Sequence, residues 1–227
     1  MLILFFILGA CMASFIMCLA DRINRQISLR GFSVCDNCQH RLDCLSLTPI
    51  IGWLISAGHC RYCRCSIPMR YPIFEACFGI LFIVFSDQLD WLILICLFLF
   101  LSCEDLYDRR AHAAILYPVI IFELVCHWQL ETVASLLAIT LFCSFFIYYR
   151  RSMGSGDLPV LLILYLMVEP ITFAVTILLA SLSAIACCCL KKVQILPLIP
   201  FLSAAAIIAK LFVYNNQLIM LQFQMSS

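Results

Sequence analysis

Apolar positions in this chain gather into long runs separated by short charged turns. The punctuation leaves eight stretches, 2–20, 71–86, 91–103, 112–128, 132–149, 158–169, 171–189 and 195–213. Each predicts a helix, because about 20 apolar residues cross a ~30 Å hydrocarbon core and a helix satisfies its own backbone groups in lipid. The third and sixth stretches are short for a full crossing. One polar interval interrupts the series, giving a first helix at 1–20, a loop at 21–72 and a helical domain at 73–227.

Composition identifies the solvent. Apolar residues make up 65% of the 227 positions, charged residues 12%, and mean hydropathy is +1.07, whereas soluble domains average about 45–50% apolar and about 25% charged. The expected fold is therefore an all-α polytopic membrane protein of about eight transmembrane helices, with the lipid bilayer as its first partner. The net charge of +1 carries no information on partners, and no nucleic-acid partner is expected.

Placement of the basic residues sets an orientation. Seven lie in the long loop (Arg22, Arg25, Arg30, Arg41, Arg61, Arg64 and Arg70), and pairs occur at Arg109 and Arg110, Arg150 and Arg151, and Lys191 and Lys192. Thirteen of fourteen thus fall in alternate connections, which the positive-inside rule assigns to the cytoplasm. The remaining connections, around Asp87 and Asp90, Gln129 to Glu131, and Glu169, carry acidic residues instead. Lys210 is the exception, expected to snorkel or to face the bundle interior. No Lys or Arg precedes the first apolar run, so that run is expected to be kept as a helix rather than removed as a leader.

Of the sixteen cysteines, ten lie in apolar spans, where a free thiol packs as a small hydrophobe. The loop cysteines differ. Cys35-Asp-Asn-Cys38 and Cys60-Arg-Tyr-Cys63 form two C-x2-C knuckles with 21 residues between them, close to the spacing of a four-cysteine zinc site. In a reducing cytoplasmic loop these thiols serve as metal ligands rather than as disulfides. Four thiolates fill the coordination sphere of Zn2+, so the metal is structural. Cys44, Cys65, His40 and His59 are neighbouring alternatives. Between the knuckles, the apolar segment 47–55 is too short to span and suits a surface-lying position that the zinc pins in place.

Two acidic residues stand where apolar runs meet basic turns: Asp105, in Ser-Cys-Glu-Asp-Leu, and Asp157, in Gly-Ser-Gly-Asp. Carboxylates beside hydrocarbon are functional candidates by default. Both fall on the same predicted side of the membrane, and two carboxylates that share one proton can activate a water, the chemistry of an aspartic protease. On a continuing helix Asp105, Asp108 and His112 would share a face while Glu104 points elsewhere. Simpler readings make residues 104–108 a solvated acidic cluster neutralised by Arg109 and Arg110, and Asp157 a helix cap.

These residues, taken in order, resemble the type IV prepilin peptidases, membrane aspartic proteases of the Gly-x-Gly-Asp kind. The likeness runs from Ala13-Ser-Phe15 and Arg22 through the two knuckles with Pro49, Trp53, Gly58, Ile67, Arg70, Tyr71, Pro72 and Glu75. It continues to Asp105-Leu, Gly154-Ser-Gly-Asp157 and Pro197-Leu-Ile-Pro-Phe201. The resemblance implies that Asp105 and Asp157 form a catalytic dyad in a bacterial plasma membrane. It implies cytoplasmic cleavage of prepilin or pseudopilin leaders after a Gly and, as in many members, methylation of the new N-terminus from S-adenosylmethionine. The chain departs from the family's pattern at His112 and Ala113, where a Pro-Asp pair is usual, and at Pro159, where Lys is usual. Two readings from other classes are a membrane scaffold whose zinc loop recruits a partner, and a transporter with a proton relay through Glu75 and Glu123.

Overall fold

The computed structural model describes residues 1–108, 111–126, 128–151, 153–191 and 196–226. Arg109, Arg110 and Lys192, named above, lie outside the described residues, as do the side chains of Asp108 and Lys191. Among the described residues the fold is helical and without named strands: α1 (Leu2–Asn24), α2 (Ile51–Ile55), α3 (Arg70–Val84), α4 (Leu89–Asp108), α5 (Tyr117–Cys126), α6 (Leu130–Ser144), α7 (Asp157–Met167), α8 (Pro170–Lys191) and α9 (Ile199–Ser226). A single 3-10 turn, Ala113–Leu116, leads into α5, and a π turn, Phe145–Tyr149, extends α6. Among the described residues each of the eight apolar stretches is helical over most of its length. Three helices, Leu2–Asn24, Leu130–Tyr149 and Pro170–Leu190, are long and apolar enough by length and composition to cross a membrane. Residues 113–126, 157–167 and 199–214 form shorter apolar helices.

The described residues form two compact units, Met1–Cys103 and Glu104–Ser227. In the first, α1 packs along α3. The seam of α1 is lined by small residues, Gly9, Ala10, Ala13 and Ala20, which let helix backbones approach where lipid supplies no hydrophobic drive. The approach is close enough that a Cβ at Gly9 would stand 2.5 Å from the Phe78 carbonyl oxygen. Phe85 and Trp91, both buried, stack with ring centroids 6.0 Å apart at the turn from α3 to α4.

In the second unit α7 is the central helix. It contacts α5 and its 3-10 turn, α6, α8 and α9, while α8 pairs with α9. Centrality explains its composition: Asp157, Pro159, Val160, Leu162, Ile163 and Leu164 are all buried, as expected of a helix that is apolar all round. Ala205, Ala206 and Ala209 of α9 are buried as well. Lys210 is half-buried on the same helix.

Candidate functional site

The loop of the first unit holds two similar knuckles. In one, Val34 bridges Arg41, Cys35 N–H donates to His40 O at 3.0 Å, and Gln39 has φ 54°. In the other, His59 bridges Ser66, Cys60 N–H donates to Cys65 O at 2.8 Å, and Arg64 has φ 58°. Each chain therefore turns back sharply after the second cysteine through one left-handed residue, which exposes backbone N–H groups toward the thiols. The N–H groups of Cys38 and Asn37 hold the Cys35 thiol below its ordinary range. That of Cys65 does the same at Cys63, to about 6.

Ligand atoms of Cys35, Cys38, Cys60 and Cys63 all lie within 4.8 Å of one another. A tetrahedral zinc with Zn–S bonds near 2.3 Å requires sulfurs about 3.8 Å apart, and Cys35 Sγ and Cys63 Sγ are 3.8 Å apart. The four thiols fit the metal by number, softness and spacing. Cys65 occupies the position in the second knuckle that His40 occupies in the first, and its Sγ lies 3.4 Å from Cys35 Sγ. Beside Cys63 and Cys35 its own thiol is pushed up to about 12, so it stays protonated next to the four.

The apolar segment between the knuckles is held by more than the cysteines. Glu75, buried in α3, accepts the Ile50 N–H at 2.7 Å, and Ile50 itself has φ 62°. Trp53 Nε1 donates to Ile67 O at 3.1 Å. Arg25, at the end of α1, pairs with Asp36 of the first knuckle at 2.7 Å. Glu75 is thus a positioning group in this unit, a role its place in an apolar helix did not announce.

The second unit brings both candidate aspartates into its interior, at 7% exposure for Asp105 and 9% for Asp157. Asp105 Oδ2 accepts the N–H of Ile199, the first residue of α9, at 3.1 Å. Asp157 Oδ2 accepts the Gly154 N–H at 3.1 Å, and the Asp105 charge acts on Asp157 in addition to its burial. The turn is closely packed. A Cβ at Gly154 would lie 3.3 Å from Asp157 Oδ2, and one at Gly156 would lie 3.4 Å from Ala111 O. The helix-cap reading of Asp157 is not what is observed: Asp157 opens α7, its cap position is Gly156, and no side-chain cap bond forms.

Glu104 and Asp105 are buried rather than part of a solvated acidic cluster. Glu104 is 1% exposed. The chain leaves α4 after Asp108, so His112 does not continue its face. It returns over the helix end, with His112 N–H donating to Glu104 Oε2 and His112 Nδ1 facing Glu104 Oε1, both at 2.9 Å.

Comparison with known proteins locates the likeness in the first unit. Residues 7–89 match the family described as bacterial peptidase A24 N-terminal domain. A Myxococcus xanthus (strain DK1622) protein named prepilin leader peptidase/N-methyltransferase is 33% identical over 87 residues, 38% of this chain and 26% of the relative. Proteins of the same name from Stutzerimonas stutzeri and Aeromonas salmonicida (strain A449) are 39% identical over 49 residues and 35% over 57, covering 22% and 25% of this chain and 17% and 20% of the relatives. The matches thus span about a quarter or less of these relatives' lengths. No solved structure matches.

Proposed function

We infer that this chain, shown by residues 7–89 to resemble the type IV prepilin peptidases, is a membrane-embedded aspartic endopeptidase that removes leader peptides from prepilins or pseudopilins at the cytoplasmic face. The observation that carries this reading is the burial, within one unit, of two carboxylates whose charges act on each other. The family match ends at residue 89, so the chemistry rests on that geometry and on the Gly154-Ser-Gly-Asp157 motif.

Two like charges held close in a poorly solvated site cannot both ionise cheaply, so one proton is shared and the pair titrates as a unit. The ionised member takes a proton from a water, which attacks the scissile carbonyl. The protonated member hydrogen-bonds the carbonyl oxygen and then supplies a proton to the leaving amine. Hydrogen bonds from Ile199 N–H and Gly154 N–H fix one oxygen of each carboxyl.

Eight spans, with thirteen of fourteen basic residues in alternate connections, put both aspartates and the zinc loop at the cytoplasmic surface of a bacterial plasma membrane. A prepilin's basic leader is held on that side, and its apolar segment lies in the bilayer. When bound, zinc supplies a rigid cross-link between the two knuckles. Methylation of the new N-terminus from S-adenosylmethionine is part of the relatives' name and extends the proposal as a second activity of this chain. The test is co-expression or incubation of purified protein with a prepilin, following the mobility shift of the processed product. An unshifted prepilin with folded, zinc-loaded protein would favour the scaffold or transporter reading.

A further inference from the structure

We propose that Glu104 and His112 form a clasp that positions the two aspartates; this rests on the aspartic-peptidase reading above. Glu104 precedes Asp105 in α4, and a helix turns successive side chains about 100° apart, so the two carboxylates face different ways. A carboxylate 1% exposed is costly unless its oxygens are satisfied, and both are satisfied by one residue. His112 gives its backbone N–H to Oε2 and its ring Nδ1 to Oε1. The clasp joins residues eight apart in sequence and fixes where the chain re-enters the fold.

That point of return is against the other half of the site. His112 caps the 3-10 turn Ala113–Leu116, whose Ala113 and Leu116 are buried. Ala111 O and Ala113 Cβ stand 3.4 Å and 3.7 Å from where a Gly156 Cβ would be, so residues 111–113 abut the turn that delivers Asp157. One end of the clasp is bonded into the helix of Asp105, and the other supports the loop of Asp157. The pair therefore acts through the aspartates and is a positioning pair, not a catalytic one. No such clasp is available to a chain with Pro in place of His112, because Pro has no N–H to donate.

The experiment compares purified full-length wild type with E104L, E104Q, H112A, D105N and D157N on one prepilin peptide, with kcat and KM separated. The clasp predicts that E104L and H112A lower kcat by about 10–100-fold, the scale of a small misplacement of reacting groups, with KM within about twofold. E104Q, which can still accept the His112 N–H, recovers part of the loss. Hydrogen exchange read by mass spectrometry gives a measure independent of cleavage: H112A should raise exchange in residues 111–116 and 153–157 together. Wild-type kcat in E104L and H112A beside inactive D105N and D157N would overturn the clasp and leave the peptidase reading standing. Cleavage by D105N and D157N would instead remove the peptidase reading. Unchanged exchange at 153–157 in H112A would overturn the clasp whatever the enzyme does.

Discussion

The N–H of Ile199 donates to Asp105 Oδ2 at 3.1 Å, joining residues 94 apart in sequence. Ile199 opens α9, and the first N–H groups of a helix have no partner within it. Pro200 follows and has no N–H of its own. A candidate catalytic carboxylate therefore also serves the start of a helix, which separates two effects of substitution. Asp105→Asn keeps an oxygen for Ile199 and should abolish prepilin cleavage with little loss of folded protein. Asp105→Leu removes the acceptor as well and should cost about a further 1–3 kcal/mol of stability. Thermal unfolding in detergent beside a cleavage assay distinguishes the two, and full processing by purified Asp105→Asn would remove the dyad.

The Gly154 to Asp157 turn makes a second, steric prediction. Gly154→Ala brings a methyl to 3.3 Å from Asp157 Oδ2, tight enough that the carboxyl must give by a few tenths of an ångström. The expected result is a drop in kcat of about tenfold for a modest displacement of Asp157. Ser155 is exposed, and Ser155→Ala is expected to cleave at the wild-type rate. Equal activity of all three proteins would show that the turn does not hold Asp157 in a working position.

Much of this was legible in the sequence, for definite reasons. The apolar runs located the described helices other than the short α2, because a helix in lipid needs no periodic pattern. The knuckles located their four thiols because C-x2-C spacing is a local property of a tight turn. What escaped depended on chain return. On a continuing helix Asp105, Asp108 and His112 would share a face, but α4 ends at Asp108 and His112 bonds Glu104, which turns Glu104 from bystander to buried partner. Glu75 was read as a helix-end or relay group, and its partner Ile50 lies 25 residues away in a loop with no pattern to announce it. Length was the other limit: runs such as 158–169 mark α7 correctly, but its central place in the second unit comes from packing by four neighbours.

The metal site yields a prediction with a sign. The Cys63 thiol sits at about 6 and the Cys38 thiol at about 11, so at neutral pH the metal-free loop holds Cys63 as thiolate and Cys38 as thiol. Zinc binding must displace the Cys38 proton, and below about pH 6 it must also displace that of Cys63. Apparent affinity should therefore fall as pH is lowered through the neutral range and fall more steeply below about 6. Competition against a chromophoric chelator from pH 8 to pH 5 measures the slope. Metal analysis should find about one zinc per chain, lost when Cys35 and Cys63 are replaced together. Freshly purified, reduced protein without bound metal would overturn the site.

Topology is the condition on which the dyad depends. The zinc loop, with seven basic residues, and the turn before Asp157, with Arg150 and Arg151, both carry the charge that is retained in the cytoplasm. The connection at Asp87 and Asp90 carries none of it. A reporter at Ser33 should therefore give a cytoplasmic signal, one at position 152 the same, and one at Gln88 or after Gln217 an external signal. The number of crossings between Ser33 and position 152 must be even for this to hold, and in the proposed eight-span arrangement α3, α4, α5 and α6 would supply four. Because Asp105 lies in the last turn of the second of these helices and Asp157 follows all four, an even count places both carboxylates on the leader's side. Opposite signals from Ser33 and position 152 would put an odd number of crossings between them, and the prepilin junction could not then reach Asp157 from the side on which its basic leader is held.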